Sequence, residues 1–305
     1  MIGSFNIDPN APVAEVSYCY RLKVLHFPPM LAFDPGARAN SAVRTEDGAS
    51  LFYWSAGDGP RTLLFVHGWG GSGSGRFWAP LLQHLDLSGI RLIAADLRGH
   101  GRSDKIRAGF TTETFARDMF ALLEHVAANR PIVVGYSMSA KWAQWMSSMA
   151  PERVTGQILI SPAPALALPL TDDILIDWLK AARDRSYFNA WLRQFIRHPL
   201  APEIVDAYFE DVSSTAEHTL RETFNMCRTG EFVNALSATR APTLAICGIY
   251  DPVLTPELVR KEVVDRIPGA RMALLDCGHE IPLEKPLETA ALIQAFLAAL
   301  RYSAW

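Results

Sequence analysis

Three side chains spaced along the chain have the types that nucleophilic acyl transfer needs. They are Ser137 in Gly135-Tyr136-Ser137-Met138-Ser139, Asp251 in Gly248-Ile249-Tyr250-Asp251-Pro252, and His279 in Cys277-Gly278-His279-Glu280-Ile281-Pro282. A serine hydroxyl is a weak nucleophile until a base takes its proton, and an imidazole base needs a carboxylate to hold its tautomer and steady its charged form. Ser137 directly follows the apolar run Ile132-Val133-Val134 and precedes the helix-like stretch Ala140 to Met146. A strand, a tight turn and a helix in that order expose the central serine at the end of a sheet, with the amides and positive dipole end of the helix aimed at it. The last position departs from the Gly-x-Ser-x-Gly pattern, because Ser139 adds a hydroxyl and a Cβ to a crowded turn. One at a time, each residue has an ordinary reading as a turn serine, an Asp-Pro turn or a loop histidine. In this order, each after its own strand, they predict a set with Ser137 as nucleophile, His279 as base and Asp251 as orienting acid.

Acyl transfer also needs two donors where the carbonyl oxygen becomes negative, each worth about 3 kcal/mol. The run His67-Gly68-Trp69-Gly70-Gly71-Ser72-Gly73 follows the buried strand pattern Thr62–Val66, and a glycine-rich turn there leaves backbone N–H groups free to point into a crevice. The N–H groups of Trp69 and Met138 are the expected oxyanion donors. Phosphate cradling, the rival use of such a loop, fails on detail: the chain lacks Gly-x-x-x-x-Gly-Lys-Ser/Thr, and lacks a Gly-x-Gly-x-x-Gly that opens a helix after a strand with a ribose-binding acid at the right distance. His67 reads as a hydrogen-bonded loop residue and not as a second base.

These groups must be carried by a scaffold. Apolar runs at 51–54, 62–66, 91–95, 132–134, 157–160, 243–246 and 271–275 read as strands, and their continuity implies burial on both faces of a parallel sheet covered by helices. Thr255-Pro256-Glu257, Thr111-Thr112-Glu113 and Pro286 mark helix starts. Residues 163–240 break the rhythm. They offer no strand but amphipathic segments rich in aromatics, among them Trp178, Tyr187, Phe188, Trp191, Phe195, Tyr208, Phe209 and Phe224. The expected organisation is an irregular N-terminal arm at 1–45, a core built from 46–162 and 241–305, and a helical cap at 163–240.

Composition removes other classes. In 305 residues, 29 Lys and Arg against 32 Asp and Glu give a net charge of −3, and no basic run stands out, so a nucleic-acid partner is not expected. No stretch approaches the roughly 18 apolar residues of a membrane helix. The N-terminus has no charged and apolar leader pattern, and the 4 Cys are scattered without ligand spacing, which argues against a disulfide framework and a zinc site. A soluble cytoplasmic protein acting on a small molecule is the expectation, with self-association left open.

The chain resembles the α/β-hydrolase fold family. The resemblance is carried by His67-Gly68-Trp69, Asp96-Leu97-Arg98-Gly99-His100-Gly101-Arg102-Ser103, the Ser137 turn, Gly248-Ile249-Tyr250-Asp251, and Gly278-His279 with Glu284-Lys285-Pro286. It covers about residues 42–300. It implies a mostly parallel central sheet flanked by helices, with an inserted helical cap, the chain order Ser, Asp, His, and a structural role for Asp96 and Ser103. Relatives that cleave epoxides or carbon–halogen bonds imply an Asp nucleophile, and this chain has Ser137. The resulting expectation is hydrolysis of a carboxylic ester or lactone of a hydrophobic or aromatic molecule through an acyl-enzyme, without metal or organic cofactor. Activity is expected to fall on the acid side near an imidazole pKa of about 6.5. A C–C bond hydrolase of a ring-fission product and a ligand-binding receptor on the same fold are the alternatives.

Overall fold

The computed structural model describes residues 42–70, 73–128 and 130–302, so most of the expected arm lies outside the described residues. The strands are β1 (Ala42–Arg44), β2 (Ser50–Ala56), β3 (Arg61–Val66), β4 (Ile90–Ala95), β5 (Ile132–Tyr136), β6 (Gly156–Ile160), β7 (Thr243–Gly248) and β8 (Arg271–Leu275), and the seven apolar runs account for β2 to β8. They form one eight-stranded sheet in the order β1-β2-β4-β3-β5-β6-β7-β8. β1 and β2 run antiparallel to their neighbours, and every pairing from β4 to β8 is parallel. β1 falls at the end of the stretch read as an arm. It is a three-residue edge strand in which only Val43 is buried, too short for its period to show.

The order reverses at β3, which lies between β4 and β5, and ligands of open parallel sheets bind outside the carboxyl ends of the strands at such a point. The register aligns those ends: Val66 pairs with Gly135, Tyr136 with Ile160 and Gly248 with Leu275. The segments starting at His67, Ser137, Ser161 and Ile249, and the turn that follows Leu275, therefore emerge along one edge.

The helices are α1 (Ala79–Leu82), α2 (Thr112–His125), α3 (Met138–Met149), α4 (Asp172–Ala181), α5 (Arg185–Leu192), α6 (Pro202–Ser214), α7 (Glu217–Thr229), α8 (Pro256–Glu262), α9 (Ile281–Glu284) and α10 (Pro286–Tyr302). α2 starts where Thr111 Oγ1 accepts the Thr114 N–H at 3.1 Å, and it buries Phe115, Met119, Leu122 and Leu123. α3 is buried nearly all round, and the Trp142 ring stacks on Phe115 at 4.2 Å and 3°. α4 to α7 lie between β6 and β7 in the chain, with no strand among them. No helix among the described residues is long and apolar enough to cross a membrane.

The Asp96–Ser103 segment is a scaffold. Asp96 accepts the N–H groups of Gly75 at 2.6 Å and Arg102 at 2.8 Å, while Ser103 Oγ donates to the Asp96 carbonyl at 2.6 Å and accepts the Phe52 N–H at 2.9 Å. A Cβ at Gly101, whose φ is +47°, would sit 2.2 Å from the Asp96 carboxylate, so only glycine lets that turn close. Arg98 is buried between Asp118 (2.5 Å) and Asp47 (2.9 Å). Of the cysteines, Cys227, Cys247 and Cys277 are buried and free.

Candidate active site

Ser137 sits between β5 and α3 at φ 52° and ψ −116°, a conformation that costs a non-glycine residue of order 1–3 kcal/mol and persists only where its surroundings enforce it. The enforcement is visible on both sides. A Cβ on Gly135 would lie 2.7 Å from Ala140 Cα and 2.8 Å from the Ser139 carbonyl, so strand and helix approach as closely as glycine allows. Ser139 supplies the rest: its hydroxyl donates to the Val66 carbonyl at 2.6 Å and accepts the Tyr136 N–H at 2.9 Å. The departure from glycine thus ties the turn to the end of β3.

The Ser137 hydroxyl donates to His279 Nε2 at 3.0 Å, and His279 Nδ1–H donates to Asp251 Oδ2 at 2.7 Å. Asp251 Oδ1 accepts the N–H groups of Val253 and Leu254, each at 2.9 Å. Burial alone would raise the Asp251 carboxyl, but the positive charge and hydrogen bond of His279 and the two backbone donors outweigh it, leaving its pKa below the ordinary value. Burial likewise works against a charged His279, and Asp251 overcomes it by charge and hydrogen bond, with Glu280 and Glu284 adding to the field; the imidazole is raised to about 9. The three residues singled out in the sequence are brought together as one hydrogen-bonded chain.

The His279 loop is fixed by contacts that the sequence did not disclose. Its N–H donates to the Phe195 carbonyl at 2.6 Å, and its carbonyl accepts the Ser161 hydroxyl at 2.8 Å. Glu284 accepts the N–H groups of Gly278 (2.9 Å), Arg197 (2.6 Å) and His198 (2.9 Å), pinning the segment after α5 against the loop.

Trp69 and Met138 border the same cleft as Ser137 and His279. Met138 is the first residue of α3, so its N–H has no partner within the helix. The Trp69 indole donates to the Leu220 carbonyl at 2.9 Å, which fastens the loop after β3 to α7. His67 is fully buried, with Nδ1 donating to the Gly68 carbonyl at 3.0 Å and Nε2 accepting the Leu97 N–H at 3.1 Å. Burial holds its pKa well below the ordinary imidazole value, so it is a neutral structural residue.

The walls of the cleft separate the aromatics of the α4–α7 stretch by role. Trp178, Trp191, Phe195, Tyr208 and Phe224 line it, whereas Phe188 packs behind them on Trp191, Tyr208 and Phe209. Trp142 and Trp145 face the core. Sequence reasoning missed one lining residue of consequence, Glu280, whose carboxyl accepts the hydroxyls of Tyr136 and Tyr208. An acid directly after the candidate base, in an apolar context, was its only signal.

A family profile for the alpha/beta hydrolase fold matches residues 61–197. Lipase LipV of Mycobacterium tuberculosis is 28% identical over 263 residues, covering 78% of this chain and 94% of the lipase. Protein PHYLLO, chloroplastic, of Arabidopsis thaliana is 25% identical over 275 residues, covering 79% of this chain, which spans only 15% of that protein's length. Among solved structures, an esterase (EaEST) from Exiguobacterium antarcticum superposes with a TM-score of 0.77 at 18% identity, covering 85% of this chain and 99% of the esterase. The sheet order, the turn at Ser137 and these matches lead to one conclusion: the chain has the α/β-hydrolase fold and is a hydrolase.

Proposed function

We propose that this hydrolase cleaves a carboxylic ester or lactone of a hydrophobic small molecule through a covalent acyl-enzyme. The observation that carries the reading is the chain of hydrogen bonds from Ser137 through His279 to Asp251 at 3.0 and 2.7 Å. His279 Nε2 takes the hydroxyl proton as Ser137 Oγ attacks the carbonyl carbon, and Asp251 stabilises the imidazolium that forms. The N–H groups of Trp69 and Met138 hold the oxyanion. Collapse of the tetrahedral adduct breaks the ester C–O bond, and His279 returns the proton to the leaving oxygen. A water, deprotonated by the same imidazole, then attacks the acyl-serine and releases the acid. The apolar cleft above Ser137, walled by Trp69, Trp178, Trp191 and Phe224, suits an apolar acyl or alcohol group. The lipase among the relatives agrees with an ester bond as the target.

A time course with short- and medium-chain p-nitrophenyl esters tests this. The expected result is steady nitrophenol release that falls by roughly 10³-fold or more in Ser137→Ala. Equal rates in the two proteins would remove Ser137 from the mechanism. Absence of turnover together with tight binding of the ester would favour a binding protein on the same fold.

A further inference from the structure

Glu280 directly follows His279, lines the cleft and is 2% exposed. Its Oε2 accepts the Tyr136 hydroxyl at 2.7 Å and its Oε1 the Tyr208 hydroxyl at 2.8 Å. Tyr136 ends β5 and Tyr208 belongs to α6, so one neutral donor reaches the carboxyl from the sheet and one from the helices above it. Two such donors fill about half of a carboxylate's four acceptor sites and cancel none of its charge. The site's other charges do not help. Asp251 is paired with His279, and among the described residues no Lys or Arg lines the cleft. One negative charge is left over in a buried space, where an unpaired carboxylate is costly. Burial accordingly pushes the Glu280 carboxyl above the ordinary range, against the pull of His279 and the two tyrosines.

A tie between α6 and the sheet does not require an acid. A glutamine would accept from one tyrosine and donate to the other with no charge to bury, so the acid needs a reason beyond holding the two tyrosines. The remaining walls supply one. Trp69, Trp178, Trp191, Phe195 and Phe224 line the cleft, with the Trp69 and Trp178 ring centres 4.7 Å apart and those of Trp191 and Phe195 4.5 Å apart. Aromatic faces attract cations, most strongly away from water. The two features favour the same guest, an apolar molecule bearing one positive charge.

We propose that Glu280 is a specificity-determining residue, selecting substrates that carry an ammonium group into the aromatic cleft above Ser137. The substrate class rests on the hydrolytic reading above, whereas ligand binding can be measured without it. Choline and 3,3-dimethylbutan-1-ol have the same shape and differ in charge. Both would be titrated calorimetrically into the full chain and into Glu280→Gln. Choline is expected to bind at least tenfold tighter than the alcohol, and Glu280→Gln to bring the two within about twofold, since tenfold corresponds to roughly 1.4 kcal/mol. Equal binding of the pair by the unsubstituted protein, or a preference that survives in Glu280→Gln, would overturn the assignment.

Hydrolysis of acetylthiocholine against S-(3,3-dimethylbutyl) thioacetate gives the second readout. Glu280→Gln removes part of the field on His279 for both substrates, so the expected pattern is a loss of kcat/KM about tenfold greater on the cationic thioester than on the neutral one. An equal loss on both would mean that Glu280 is only a structural tie, and would sink the proposal. A Glu280-dependent choline preference without turnover of any ester would contradict the hydrolytic reading and still support the class of ligand.

Discussion

Replacing Ser139 by glycine restores the family's small residue at the turn, and the structure predicts that it damages the protein. The hydroxyl donates to the Val66 carbonyl at 2.6 Å and is the partner of the Tyr136 N–H at 2.9 Å, in a residue that is 1% exposed. Removing it leaves the buried Tyr136 N–H unsatisfied, which costs about 1–3 kcal/mol. Glycine in the first turn of α3 adds roughly 0.5 kcal/mol of backbone entropy. The sum of about 1.5–3.5 kcal/mol corresponds to a fall of about 3–10 °C in Tm at the 2–3 °C per kcal/mol that suits a domain of this size. Tyr136 immediately precedes Ser137, so ester turnover is expected to fall along with stability. Differential scanning calorimetry of Ser139→Gly and Ser139→Ala checks the reasoning, because both lose the hydroxyl and only one loses the Cβ. Both variants should melt below the parent, with the alanine form the milder. If the glycine form melts at or above the parent, the hydroxyl is not holding the turn and crowding governs this position.

The raised imidazole of His279 sets a pH profile. A base must be unprotonated to accept the Ser137 proton, so a pKa raised to about 9 moves the acid limb of kcat/KM above 6.5, the value expected for an unperturbed imidazole. A limb at or below 6.5 would contradict the field assigned to Asp251. Asp251→Asn removes that field: the limb should shift to lower pH, and kcat should drop by about 10⁴-fold in steady-state assays. Arg98→Met strands Asp118, itself 2% exposed, and should cost about 3–5 kcal/mol in thermal unfolding, with part of the loss restored by adding Asp118→Asn. Glu284→Ala frees the N–H groups of Gly278, Arg197 and His198, so kcat should fall several-fold with KM little changed as the His279 loop loosens. A change in KM alone would assign Glu284 to substrate binding instead.

The strands and the catalytic candidates were legible for a common reason. Strands buried on both faces must be apolar throughout, so β3 to β7 stand out as continuous runs, and the turns that follow them carry the reactive residues. The short edge strand β1 has one buried side chain and no such signature. The site's fine structure depends on contacts between residues far apart in the chain, and local pattern cannot show them. The Ser139 bond to Val66 and the Tyr208–Glu280 pair span 73 and 72 residues. The shift of His279 likewise follows from three acids meeting around one ring. Which aromatics line the cleft is decided by how α4 to α7 pack, so Phe188 and Trp191 have the same look in sequence and different surroundings in space.

Assignment of Ser137 as the nucleophile is open to covalent labelling, which needs no substrate. The folded protein would be treated with a serine-directed fluorophosphonate, followed by intact mass measurement and peptide mapping. One adduct is expected, on Ser137, absent from Ser137→Ala and slowed in Asp251→Asn. An adduct on another residue, or none on a protein that still hydrolyses esters, would contradict the assignment.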